Sequence, residues 1–230
     1  NGEFERAKDV AAKYFYGRMD KKGREWKDKP ALPHMGYSYT EKPELEQSHV
    51  GIAFPSLPYK HEKDAVLAVV NAVLGGNMSS RLFQEVREKQ GLAYSVFSAP
   101  STYINNGYLC VYAGVKPSNA QKAVKTIANL LKGLKDSPIT QSELDKGKQQ
   151  IKTAYALSGE STSGSGSLFA RYALYTGKLF DAQEEIARVE RVGLDEANAL
   201  ALEILSPQKA ALSYVGKKCG KNLLEIFKNQ

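Results

Sequence analysis

The chain has 230 residues, 42% of them hydrophobic and 25% charged, which is ordinary globular composition and enough to bury one large core or two small ones. No apolar run approaches the ~20 residues that cross a bilayer, and the opening NGEFERAKDV lacks the basic and apolar regions of a signal peptide, so a soluble protein is expected. Thirty-two Lys and Arg against 25 Asp and Glu leave a net charge of +7, but the basic residues are spread along the chain. Only DKKGREWKDK is dense in them, and Asp20, Glu25 and Asp28 interrupt it, so neither nucleic acid nor membrane is expected as a partner. Cys110 and Cys219 stand far apart with no C-x-x-C pattern, which argues against a disulfide framework and a cysteine metal site.

Residues 3–16 space Phe4, Ala7, Val10, Ala11 and Tyr14 at helical intervals and predict a helix ending before Gly17. A polar stretch containing Pro and Gly, up to Tyr39, reads as a linker. The globular part is expected from Glu41. QSHVGIAFP predicts a strand with Val50, Ile52 and Phe54 on one face, ended by Pro55 and Pro58. The segment 61–74, apolar almost all round, predicts a buried helix. A glycine-rich turn, Gly75-Gly76-Asn77, then opens a helix with Arg87 on its last turn, and Gly91 stops it.

Segments 93–100 and 107–115 read as paired strands, joined by the hairpin signal Asn106-Gly107. From Pro117 a helix runs to about Lys135 with Ala123, Ile127, Leu130, Leu131 and Leu134 as its apolar stripe. Another follows Thr140, where T-Q-S-E is a capping box with Glu143. SGESTSGSGS has the composition of a flexible linker. Beyond it come helices closed by Gly177, Gly193 and Pro207, a strand over 209–216 and a short terminal helix. Hairpin-linked strands with consecutive helices predict an α+β fold, a mainly antiparallel sheet covered by helices on one face.

The run GNMSSRLFQEVREKQGLAYSVFS, preceded by an apolar helix and followed by the NNG hairpin, resembles the carboxyl-terminal domain of the pitrilysin/insulinase family of zinc peptidases, which includes the mitochondrial processing peptidases and the respiratory core proteins. The likeness is judged to cover about 41–217. It implies a half-clam domain, with 1–40 as the tail of a preceding domain plus its connection and 218–230 as a terminal tail or short helix. It also favours a short break between two helices over a linker at SGESTSGSGS. In the related peptidases an arginine and a tyrosine at the positions of Arg87 and Tyr94 reach the zinc site, hold substrate carbonyls and hydrogen-bond the oxyanion, while a glycine-rich loop corresponding to Gly75, Gly76 and Asn77 lies over the substrate. Taken without the family, Arg87 is a helix-end cation and Tyr94 a strand aromatic.

The H-x-x-E-H motif of these enzymes does not occur around His34, His49 or His61, and the position four after His61 is Ala65, so no metal site is expected in this chain. The resemblance therefore implies the substrate-binding half of a zinc metalloendopeptidase, inactive alone, with zinc in a partner half on the same polypeptide or another subunit. It also implies a peptide substrate and a dimeric arrangement. The alternative is a catalytically silent assembly subunit of the same fold. The compartment stays open, with the cytoplasm favoured.

Overall fold

The alternation in SHVGIAFPS is realised as strand β2, Ser48–Ser56, whose Val50, Ile52 and Phe54 are fully buried while the residues between them are not. The computed structural model describes residues 2–19, 35–158, 161–220 and 222–230. The chain divides into two compact units, residues 1–30 and 31–230. In the first, helix α1 spans Gly2–Met19 and continues through Gly17, where the sequence predicted its end.

The second unit is built on a five-stranded sheet of β1 (Tyr37–Glu41), β2, β3 (Ala93–Thr102), β4 (Gly107–Val115) and β5 (Ala211–Gly216), in the order β1-β5-β2-β4-β3. Every pairing is antiparallel except β1 with β5. β1 falls on residues read as linker. Its five residues are too few to show alternation, and its place is set by pairing with a strand more than 170 residues later, Tyr37 opposite Leu212. Pro55 lies inside β2 rather than ending it, because β5 pairs β2 only as far as Ala53 and no ladder bond is asked of the proline nitrogen on that side.

Helices α2 (Asp64–Leu74), α3 (Ala120–Lys132), α4 (Gln141–Ser158), α5 (Thr162–Thr176), α6 (Ala182–Glu190), α7 (Leu194–Ile204) and α8 (Leu223–Lys228) complete the fold. The helical layer packs on the face made by Ile52, Leu109, Val111, Val96 and Leu212, with α2, α3, α7 and α8 reaching the strands. Burying this face and the apolar stripes of the helices is the main stabilising term. Val66, Val69, Val70 and Val73 of α2 are all buried, as the all-round apolar pattern predicts. Leu223 and Phe227 bring the terminal helix into the same core.

The hairpin with Gly107 opening its second strand is present, and at SGESTSGSGS α4 ends at Ser158 and α5 begins at Thr162, as the resemblance implies and composition alone does not. Thr102 pairs with Gly107, so the hairpin loop is the four residues 103–106, closed by Tyr103 N–H donating to the Asn106 carbonyl at 2.8 Å. Gly107 is a strand residue without positive φ, and a Cβ there would sit 2.0 Å from the Leu57 carbonyl oxygen. Close approach, rather than turn geometry, requires this glycine. The serine- and glycine-rich stretch is chiefly helix: α5 starts at Thr162 because Ser161 caps it, accepting from Gly164 N–H at 3.1 Å.

Candidate active-site elements

Between α2 and β3 the chain makes a tight turn and a π-helix, Phe83–Lys89, where an ordinary α-helix was expected. Such wide turns recur at functional sites. Gly91 ends it in the left-handed region at φ 59°, as the sequence predicts. Arg87 stands on its last turn.

Tyr94 follows at the start of β3, an edge strand, where the register with β4 slips between Ala93 and Ser95. The bulge leaves Tyr94 out of the ladder and aims it into solvent, with 74% of its surface exposed. The two expected residues are brought together: the Arg87 guanidinium carbon lies 5.9 Å from the centre of the Tyr94 ring and 4.8 Å from that of Phe83. Phe83 holds the cation from one side. Sequence reasoning missed it, although its spacing of four from Arg87 on a helix was a usable signal.

Arg87's ion partner is Glu88, whose carboxylate stands 3.8 Å from its Nε, a loose pair with both side chains about half exposed. Among the described residues no hydrogen bond occupies the guanidinium or the Tyr94 hydroxyl. The pair thus presents N–H donors beside a phenol, with the guanidinium held by cation–π contacts to both rings.

The glycine-rich turn borders the same strand further along. The Gly75 carbonyl accepts Ser98 N–H at 3.1 Å, and a Cβ on Gly75 would lie 2.4 Å from that nitrogen. Gly75 has φ −158°, an extended backbone open to any residue, so contact with β3 is what requires the glycine. Four residues separate Ser98 from Tyr94, about 13 Å along a strand. Gln150 of α4 pins the turn, donating to the Gly76 carbonyl at 3.0 Å and accepting from the Asn77 amide. That amide also donates to the Ala72 carbonyl at 3.1 Å, and its oxygen accepts Ser79 N–H at 2.6 Å. Gly76 is exposed, whereas Gly75 is buried and the Asn77 side chain is occupied within the fold.

Below the turn, Arg81 makes a bidentate pair with Glu143, at 2.6 and 2.7 Å, and also donates to the Ser137 and Pro138 carbonyls at 2.7 and 2.8 Å. The Arg81 hydrogen bonds hold the Glu143 carboxyl at about 2, well below its ordinary value. The expected capping box is present, with Thr140 N–H donating to the same carboxylate at 2.9 Å. This cluster ties the base of the π-helix to α4 and commits four of the five Arg81 N–H donors within the fold.

On the sheet face opposite the helices, His49 Nδ1 and the Tyr112 hydroxyl are 2.6 Å apart, and Phe97 packs on Tyr112 with ring centres 5.0 Å apart. Burial pushes the Cys110 thiol of this face up. His61 uses Nδ1 to accept Lys63 N–H at 3.1 Å, so it shapes the entry to α2; His34 lies outside the described residues. Among the described residues no three His, Cys, Asp or Glu side chains stand close enough to hold a metal ion. With Ala65 where a second helical ligand would be needed, the donor set does not fit zinc.

Comparison with known proteins identifies the family and the fold. The family described as "Peptidase M16 inactive domain" matches residues 1–151. An uncharacterized zinc protease of Bacillus subtilis is 41% identical over 171 residues, 74% of this chain and 42% of that protein. One from Streptomyces coelicolor is 34% identical, over 74% of this chain and 37% of the relative. The chain thus spans about two fifths of the length of the curated relatives it matches. Among solved structures, a peptidase M16 inactive domain from Pseudomonas fluorescens superposes with a TM-score of 0.77 at 21% identity, covering 93% of this chain and 51% of the other. A chain of the Candida albicans complex III dimer superposes at 0.72 with 15% identity, covering 84% and 49%, a likeness of fold. The chain belongs to the inactive-domain family of the M16 zinc peptidases.

Proposed function

We propose that this chain is the substrate-binding half of a zinc metalloendopeptidase and is inactive without a metal-bearing half. In this reading residues 1–40 are the end of a preceding domain and its connection, and 41–217 form the wall that faces the partner. The observation that carries the proposal is the Arg87–Tyr94 pair: a free guanidinium and a free phenol held together at a bulge on an edge strand. Among the described residues neither has a hydrogen-bond partner and Arg87 has only the loose pair with Glu88, so both are available to a ligand.

A zinc ion held by the partner half would supply the activated water for attack on a peptide carbonyl. Tyr94 donates its hydroxyl hydrogen to the oxygen that becomes negative during attack, a contact typically worth ~2.7 to 4 kcal/mol of barrier when the donor is preorganised. Arg87 donates to neighbouring substrate carbonyls before reaction and keeps Tyr94 in place through its ring. Gly75, Gly76 and Asn77 flank the peptide further along β3, through the exposed Gly76 backbone rather than the engaged Asn77 side chain.

Mixing the chain with a metal-bearing M16 half and following cleavage of a quenched fluorogenic peptide tests the assignment. Activity should require both halves. Association without any activity, unchanged by replacing Arg87 or Tyr94, would instead assign the chain to silent assembly.

A further inference from the structure

The lysines that look dispersed in sequence are gathered on one side of the folded unit. Among the described residues, 116–135, 217–220 and 222–230 carry eight lysines against a single acidic residue, Glu225, a surplus equal to the whole chain's net charge of +7. On α3 the apolar positions Ala123, Val124, Ile127 and Leu131 are buried. At 3.6 residues per turn, Lys122, Lys125 and Lys132 then share the opposite, exposed face. Lys116 and Lys135 stand exposed at its two ends.

The terminal segment is lashed alongside. Gln121 donates to the Cys219 carbonyl at 3.0 Å, next to the exposed Lys217 and Lys218. Lys132 donates to the Gln230 carbonyl at 3.0 Å, and α8 with Lys228 packs on α3. Among the described residues none of these lysines has a carboxylate within 4 Å, and Glu85 on the π-helix flank is taken by Lys89 at 3.0 Å.

We propose that this lysine face docks the protein on an anionic lipid surface. Its composition selects that partner. It holds no arginine, whose planar fork suits bidentate capture of single phosphates, and the exposed ring that borders it, Tyr39, is already stacked on Tyr214 at 5.4 Å with its hydroxyl accepting Cys219 N–H. Compact, hydrated ammonium groups spread along a helix suit a diffuse negative surface, and clusters of about four to eight basic residues are the usual size for such contacts. The apolar side of α3 is committed to the core, so the contact is electrostatic, without insertion, and requires no spanning helix. It departs from the sequence expectation of no membrane partner at the surface only.

Vesicle co-sedimentation of the chain tests this, using phosphatidylcholine alone and phosphatidylcholine with about a third phosphatidylserine. Binding is expected only to the anionic vesicles, and it should vanish in about 1 M salt, where charges are screened beyond ~3 Å. At about five-fold per lysine, the variant Lys122→Glu/Lys125→Glu/Lys132→Glu should bind at least about a hundred-fold more weakly. A control with the same net charge, Lys42→Glu/Lys146→Glu/Lys178→Glu, should keep most of the binding, and circular dichroism should show both variants folded. Equal binding to neutral vesicles, or equal loss in the control, overturns the proposal. So does tighter binding of a single-stranded oligonucleotide than of anionic vesicles at the same salt. None of these readouts involves peptide cleavage, so they stand or fall apart from the peptidase reading.

Discussion

A single Cβ distinguishes the two glycines that frame the π-helix. Gly75 has an extended backbone that any residue adopts, but a Cβ would meet the Ser98 nitrogen at 2.4 Å, so Gly75→Ala should destabilise by about 1 to 3 kcal/mol through steric displacement of β3. Gly91 has open space around its Cβ position but φ 59°, so Gly91→Ala should cost about 1 kcal/mol from the left-handed backbone alone, and Gly91→Asn less. Urea denaturation of the three variants checks the order; equal losses at both glycines would contradict it. At this scale the sequence was partly legible. Gly91 announced its left-handed stop, and the spacing of Arg87 and Tyr94 placed them together. The bulge that turns Tyr94 outward was not readable, because it depends on register against β4 and no local residue pattern encodes it. The same holds for Gly75 and Gly107, whose need for glycine comes from strands and loops that fold against them.

Among elements, the Arg81–Glu143 pair joins the segment before the π-helix to the first turn of α4, and its strength depends on pH. The folded-state pKa of Glu143 is depressed to about 2, so the stabilisation is fully present above the ordinary carboxyl value and is lost as pH falls toward 2. After discounting for partial solvent exposure, the pair is worth about 2 kcal/mol. Glu143→Gln should therefore lower stability at pH 7 by about that amount and by much less near pH 2, measured by urea denaturation at both. An undiminished loss in acid would contradict the ionic account. The capping half of this cluster was evident in T-Q-S-E, but the arginine arrives from 62 residues earlier and left no local trace. Composition misled at SGESTSGSGS, where Ser161 acts as a helix cap and Gly164 and Gly166 are tolerated inside α5. Apolar periodicity was the dependable guide, since α2, α3 and β2 bury the residues it selected.

For the whole molecule, the helical layer is clamped to the entry of α2 by a nearly buried charge cluster. Glu185 pairs with Lys60 at 2.5 Å and with Arg188 at 3.1 Å, and both cations also face Asp64. Lys60 takes a left-handed backbone, φ 58°, and lies 4.6 Å from the Tyr172 ring. Removing one member strands the others, so Glu185→Ala should cost about 3 to 5 kcal/mol and lower the melting temperature by roughly 6 to 20 °C. A shift under a degree would show the cluster to be incidental. The architecture itself was legible, since hairpin-linked strands and paired helices predict one helical layer, while β1 was hidden by its dependence on β5. The histidines and the absence of H-x-x-E-H also lead to a prediction for the purified chain, that elemental analysis finds no stoichiometric zinc; one tightly held ion per chain, lost on replacing His49 or His61, would contradict it.

The central claim is that Arg87 and Tyr94 serve a reaction whose metal lies in a partner half. The most direct measurement is the turnover number of the reconstituted two-half enzyme carrying Tyr94→Phe. Because Tyr94 is exposed and its hydroxyl makes no hydrogen bond among the described residues, the melting temperature should not change. The turnover number should fall about 10²- to 10³-fold with little change in KM, since the lost hydrogen bond is strongest in the transition state. An unchanged turnover number in a folded, assembled enzyme would contradict the claim and return Tyr94 to the role of a strand aromatic.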